Sequence, residues 1–403
     1  MSGDTDGLLS IQVRSGHPDF LDLPWPLPLA DWAGNCPRLV EVQRGLSRHE
    51  VRFVSYGDAI YALKELPAGT AEREYGVLRA IEQHDLPAVR PVGLVTTRAG
   101  GEENGVLLTR FLEGSLPYRT LFMQPGLARY RTRLLHAMAG MLVRLHLAGV
   151  YWGDCSLSNT LFRRDAGALQ AWLVDAETSE VQEDLSAGRR GQDLDIMEEN
   201  VEGELADLAA VAELPGPLAR DGTGAVIRNR YRKLWDEITR EDVIPVSESY
   251  RIHERIRALN ELGFTVGEVS LMATGEGDRL RMRPVVTDRD YHRHELHNLT
   301  GIVAANRQAQ QMLNEIRELR ATMARELDRS VPMSAAALHW LEERFRPVVR
   351  RRGPRPTPGI SESEFYCQVL EHKWFLSEQA RRDVGLETAL DDYLKRFPGR
   401  SAD

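Results

Sequence analysis

The stretch Tyr151–Glu177, YWGDCSLSNTLFRRDAGALQAWLVDAE, decides how the rest of the chain is read. It carries Asp154, then Asn159 after four intervening residues, then Asp175 at the end of the apolar run AWLV. A loop and a strand end would thus bring two carboxylates and one amide towards a common point. Magnesium-nucleotide chemistry uses such a set. A triphosphate repels itself and any attacking oxygen, so hard oxygen ligands must hold the cation against it from two chain segments.

Immediately upstream, LLHAMAGMLVRLHLAG within Leu127–Gly149 has the spacing of an amphipathic helix, and Gly149 is placed as its C-cap. That helix delivers the chain into the polar loop. Further towards the amino terminus, LVEVQ, VRFVSYGD and AIYALKEL follow one another across short polar breaks and read as an antiparallel meander from Arg38 onward. Lys64 lies inside YALKEL. The next segment, AEREYGVLRAIEQHDL, has helical spacing at Tyr75, Leu78, Ile81 and Glu82, with Glu74 on its first turns. PVGLVTTRAG and GVLLTRFLEG supply two more strands, making five. Taken singly, a strand lysine and a helical glutamate are more often solvated than functional. Their order, upstream of D-x-x-x-x-N, is what sets this pair apart.

Lys64, Glu74, RLHLAGVYWGDCSLSNTLF and LVDAE together resemble the protein-kinase-like superfamily, most closely its small atypical branches: Rio kinases, lipopolysaccharide kinases and aminoglycoside phosphotransferases. The resemblance spans Arg38 to Trp235. It implies a bilobal α+β fold, with a five-stranded antiparallel lobe over residues 38–112 and a mainly helical lobe over 113–240. It also implies that ATP and Mg²⁺ are used, that Asp154 takes or orients the proton of an acceptor hydroxyl, and that Asn159 and Asp175 hold Mg²⁺. Lys64 would contact phosphates and Glu74 would steady Lys64. The segment Gln43 to Val51 would lie above the phosphates.

Three departures from that pattern stand out. The phosphate loop has Gly45 as its single glycine, so Ser47, Arg48 and His49 are candidate side-chain donors in place of main-chain N–H groups. Trp152 stands where such loops usually put histidine, which leaves the support of the loop backbone unaccounted for. Asp175 is followed by Ala-Glu, with no long activation segment, so control by phosphorylation is not expected. Glu177, Asp193 and Asp195 read as solvated or capping acids, with Glu177 a possible addition to a metal shell.

Composition sets the surroundings. The chain has 403 residues, 42% of them hydrophobic and 28% charged, which is enough for two or three ordinary globular domains. A formal net charge of −9 argues against a nucleic-acid-wrapping protein. Three distant cysteines, Cys36, Cys155 and Cys367, fit a reducing compartment better than a disulfide framework. The amino terminus has no signal-peptide pattern and no apolar run suits a membrane span, so the expected location is the cytoplasm. The proline-rich segment Phe20–Pro37, with Trp25 and Trp32, reads as an irregular arm lying over a domain, within an amino-terminal arm over residues 1–37.

Residues 241–403 have their own rhythm and read as an α+β, mostly helical accessory domain. SYRIHERIRALNELGF suggests a helix, TVGEVSLMA and RLRMRPVV a strand pair, and YHRHELHNLTGIVAANRQAQQMLNEIRELRATMARELDR a long helix. This half resembles a domain of unknown function that follows kinase-like halves in some bacterial proteins, and the resemblance brings no activity with it. Asp290, His292, His294 and His297 are metal-binding residue types, but without H-E-x-x-H they fit a helix start or an interface better. Six arginines between Arg344 and Arg355 read as a solvated linker or a patch docking on acidic surface, the alternative being contact with phosphate, nucleic acid or anionic lipid. The closing helices carry Trp374, Phe375 and Leu376, expected to be buried, with a second copy of the chain as one covering partner.

The reading at this stage is a phosphotransferase acting on a protein, sugar or lipid hydroxyl. Two alternatives remain beside it: a pseudokinase that binds nucleotide and regulates through its carboxy-terminal domain, and an enzyme that transfers AMP to a protein.

Overall fold

The computed structural model describes residues 8–42, 48–99, 102–123, 130–166, 168–211, 222–240, 242–245, 254–255, 266–273, 279–286, 291–352 and 360–397. The chain divides into two compact units, residues 1–163 with 170–233, and residues 164–169 with 234–403.

The first unit begins with a five-stranded antiparallel sheet made of β1 (Leu8–Val13), β2 (Val51–Tyr56), β3 (Ala59–Pro67), β4 (Pro91–Ala99) and β5 (Glu102–Arg110), in the order β1-β4-β5-β3-β2. One of the five strands differs from the sequence expectation. Leu8–Val13 pairs with β4 at the edge, whereas Leu39 makes only an isolated bridge to Val54. The prolines and tryptophans that follow β1 explain the exchange. Phe20, Leu23, Trp25, Leu29, Trp32 and Cys36 pack in one core cluster with Val54, Tyr61, Leu63, Val92, Val95, Val106 and Leu108. The arm therefore covers one face of the sheet, and the indoles keep their N–H groups satisfied by donating to Phe20 O and Leu27 O.

Alternation along β3 puts Tyr61 and Leu63 in that cluster and Lys64 on the opposite face. Across that face lies α1 (Ala68–Gln83), whose buried side is Ala71, Glu74, Tyr75, Leu78 and Ile81. A short strand β6 (Ser115–Pro117) and α2 (Tyr118–Met123) lead into the second lobe of this unit. There α3 (Tyr130–Leu147) is almost wholly buried along its apolar side, from Leu134 to Leu145. It ends at Gly149, whose φ of +76° suits glycine. A Cβ there would also run into the main-chain oxygen of Gln182. Next come β7 (Val150–Tyr151), the hairpin β8 (Thr160–Asp165) and β9 (Ala168–Leu173), β10 (Glu180–Val181), and the helices α4 (Ala187–Val211) and α5 (Thr223–Thr239).

In the second unit, β11 (Asp242–Pro245), β12 (Val266–Ala273) and β13 (Arg279–Val286) form a three-stranded antiparallel sheet in the order β11-β13-β12. The expected long helix is two, α6 (Tyr291–Thr300) and α7 (Asn306–Glu326), broken where Gly301 takes a φ of +74°. The N-cap residue Ala305 has no side-chain acceptor for the first turn of α7, and Gln308 Oε1 reaches back only to Ala305 N. Asp165, from the tip of the β8–β9 hairpin, accepts from Arg307 N and Gln308 N instead. Trp340, Phe345 and Tyr366 form an aromatic centre, with the Glu315 carboxylate accepting from both the Trp340 indole and the Tyr366 hydroxyl. Among the described arginines of the 344–355 run, Arg346 pairs with Glu342, Arg351 with Asp391, and Arg352 donates to Ile360 O. These three side chains are engaged with their own unit.

Trp374 and Phe375 are 64% and 43% exposed, so the chain itself does not bury them. The buried residues of their helix, α8 (Glu362–Ala380), run from Ser363 to Leu370 and stop there. Among the described residues no helix is long and apolar enough to cross a membrane, and no three His, Cys, Asp or Glu side chains gather as a metal site.

Candidate active site

Lys64 is the hub of the site. Its Nζ lies 3.0 Å from Glu74 Oε2, 2.8 Å from Asp175 Oδ2 and 3.8 Å from Glu177 Oε2. Burial opposes its charge, but the Glu74 and Asp175 carboxylates outweigh burial and hold the ammonium above its ordinary pKa. Glu74 is fully buried, and it also accepts the main-chain N–H of Ala176 at 3.2 Å, which ties α1 to the segment carrying Asp175. For this carboxyl, burial is the largest influence and raises the pKa; Lys64 pulls it down, Asp175 pushes it up, and the result is about 7.

The polar loop is gripped from both ends. Asn159 Nδ2 donates to Asp154 Oδ2 at 3.0 Å and to Asp154 O at 3.2 Å, which leaves Oδ1 as the acceptor atom of that amide. Val174 N donates to Asn159 O at 3.0 Å, so the loop and the end of β9 are stitched together one residue before Asp175. The Asp175 Oδ1 atom accepts from Glu177 N, and its main-chain oxygen accepts from the Trp152 indole at 3.3 Å.

One helix supplies the support that was unaccounted for in the sequence. Asp193, fully buried on α4, accepts Trp152 N at 2.7 Å, Gly153 N at 2.8 Å and His146 Nε2 at 3.1 Å. Asn200 Nδ2 donates to Asp154 Oδ1 at 3.0 Å and to Cys155 O at 3.1 Å. Glu204 accepts Leu157 N and Ser158 N, both at 2.8 Å. Positions 193, 200 and 204 are separated by seven and four residues, so they fall on one face of α4. That face holds the whole loop by its backbone. Gly153, with φ at +82°, lies where a Cβ would come 2.7 Å from Thr178 O. Asp195, read together with Asp193 in the sequence, is 66% exposed and pairs with Arg228.

From the other lobe, two residues reach across. Arg48 Nη2 lies 3.0 Å from Asp154 Oδ2, and His49 Nε2 lies 3.0 Å from Glu177 Oε2. Gly45 and Ser47 fall outside the described residues. Burial pushes the Cys155 thiol well above its usual range, which leaves it an inert neighbour of Asp154.

A buried strand lysine paired to a helix glutamate, facing a loop with a carboxylate and an amide, is an arrangement similar to that of atypical protein-kinase-like modules. Residues 58–213 match the model of the lipopolysaccharide kinase (Kdo/WaaP) family, and residues 233–397 match that of a domain of unknown function, DUF4032. Each match spans less than half of the chain. Among solved structures, one described as WaaP in complex with acyl carrier protein aligns over 63% of this chain and 99% of its own, at 15% identity and a TM-score of 0.37. No curated protein matches the chain.

Proposed function

We propose that the chain is an ATP- and Mg²⁺-dependent phosphotransferase that moves the γ-phosphoryl group of ATP to a hydroxyl on a protein, a sugar or a lipid head group. The observation that carries this reading is the position of Lys64, which contacts the helix glutamate Glu74 and the strand-end carboxylate Asp175 at once. A lysine held this way is a fixed positive charge at the place where a nucleotide's phosphates need one.

The charge balance supports a cation as well. Asp154, Asp175 and Glu177 stand against Lys64 and Arg48, so a triphosphate would enter a site already rich in carboxylate. The donors fit Mg²⁺, which commonly takes one or two protein oxygens and completes its shell with phosphate oxygens and water. Asn159 Oδ1 and the Asp175 carboxylate would hold it. When bound, Mg²⁺ neutralises phosphate charge and orients the triphosphate.

Asp154 accepts the proton of the acceptor hydroxyl as that oxygen forms its bond to the γ-phosphorus. The bond from γ-phosphorus to the β,γ-bridging oxygen breaks, and its electron pair leaves with ADP. Asn200 and Asn159 keep the Asp154 carboxylate aimed, one on each oxygen. Lys64 meets phosphate oxygens while Glu74 keeps the ammonium in place.

Calorimetric titration with ATP, with and without Mg²⁺, separates these roles when read beside a turnover assay. Asp175→Ala is expected to lose the Mg²⁺-dependent part of the affinity. Asp154→Ala is expected to keep nucleotide binding and lose turnover. Binding that ignores both Mg²⁺ and Asp175→Ala contradicts the reading.

A further inference from the structure

We propose that Arg48 is a catalytic residue whose guanidinium passes from Asp154 to the γ-phosphoryl group when nucleotide binds. The inference rests on the phosphotransfer reading and adds one group to it. Arg48 would do with a side chain what a glycine-rich loop does with main-chain N–H groups.

Location is the first support. A general base works at about 2.6–3.2 Å from the hydroxyl it serves. A guanidinium 3.0 Å from the same carboxylate therefore borders the group being transferred. Arg48 also comes from the segment leading into β2, on the opposite lobe from Asp154, so the contact spans the cleft.

Charge is the second. Lys64 is already shared among Glu74, Asp175 and Glu177. Among the described residues, Arg48 is the guanidinium that reaches Asp154, and its planar fork matches two phosphate oxygens at once. The loop before it has one glycine, Gly45, where close main-chain approach to phosphates calls for several.

The third is exchangeability. The Arg48 side chain is 84% exposed, and an ion pair this open to water contributes little. A fork-to-phosphate contact in a closed cleft is the stronger partner, so nucleotide can take Arg48 from Asp154 and free that carboxylate for the acceptor hydroxyl. One residue would thereby guard the base in the empty site and stabilise the transferring group in the filled one.

The test needs no acceptor. Affinities for ADP and for a non-hydrolysable ATP analogue, each with Mg²⁺, are measured by calorimetry on the full chain for wild type, Arg48→Ala and Arg48→Lys. Arg48→Ala is expected to weaken the analogue by about 10- to 100-fold, the span for loss of a charge-assisted hydrogen bond, and to leave ADP unchanged. Arg48→Lys, a point charge without the fork, is expected to fall between. Equal effects on both nucleotides, or no effect on either, overturns the proposal while the phosphotransfer reading stands. Wild-type protein that binds neither nucleotide removes both, and the ADP measurement tells the two failures apart.

Discussion

The Asp193 carboxylate accepts the main-chain N–H of Trp152 at 2.7 Å, and this contact shows how a loop with tryptophan in place of histidine is held. His146 and Gly153 donate to the same carboxylate, so three donors converge on one fully buried acid. Asp193→Ala would strand all three away from water. The expected loss is about 3–5 kcal/mol, the cost of removing one partner from a buried charged network. Asp195→Ala, two residues on but exposed and paired at the surface, is expected to cost about 1 kcal/mol or less. Urea unfolding of both variants checks the contrast.

Asn200 tests whether aim matters separately from binding. Its amide donates to Asp154 Oδ1 and Cys155 O and to none of the proposed metal or phosphate groups. Asn200→Leu is expected to lower kcat by about 100-fold, the cost of a misplacement near 1 Å, with nucleotide affinity unchanged. Steady-state kinetics beside a binding titration reads the split.

Glu74 makes stability depend on pH. Its carboxyl titrates near 7 in the folded chain against 4.5 ordinarily, because burial outweighs the pull of Lys64. Between those values the folded state holds more of the proton than the unfolded state does, so this group's contribution is fully present below about 4.5. It is lost as pH rises through about 7. The loss across the window is roughly 3 kcal/mol. Unfolding midpoints at pH 5 and pH 8 should show this slope in wild type and not in Glu74→Gln.

The sequence carried the elements with strong periodicity and dense turn chemistry. The strands around Lys64, the helix bearing Glu74, the helix ending at Gly149 and the polar loop all stand where alternation and capping put them. The edge strand Leu8–Val13 was not legible, because six residues can be assigned to a sheet only by the neighbour they pair with, here some eighty residues away. The clamp on α4 was hidden for a different reason. QDLDIMEENVEGEL reads as acidic and helical, with Asp193 and Asp195 as solvated or capping acids, yet Asp193, Asn200 and Glu204 share a face with the buried Met197, Val201 and Leu208. Polar residues interleaved with an apolar stripe at helical spacing were the available signal. The Asp165 cap on α7 arises from a tertiary contact that local pattern does not encode, whereas the break at Gly301 had a local signal, a glycine suited to the left-handed end of a helix.

The measurement that bears most directly on the central claim is label transfer from ATP carrying the label at either the α or the γ position. It compares wild type, Asp154→Ala and Asp175→Ala, with a cell extract supplying acceptor hydroxyls. The account predicts that label moves from the γ position alone, and that both variants abolish it while remaining folded. Label arriving from the α position, or γ-label transfer undiminished in both variants, contradicts it.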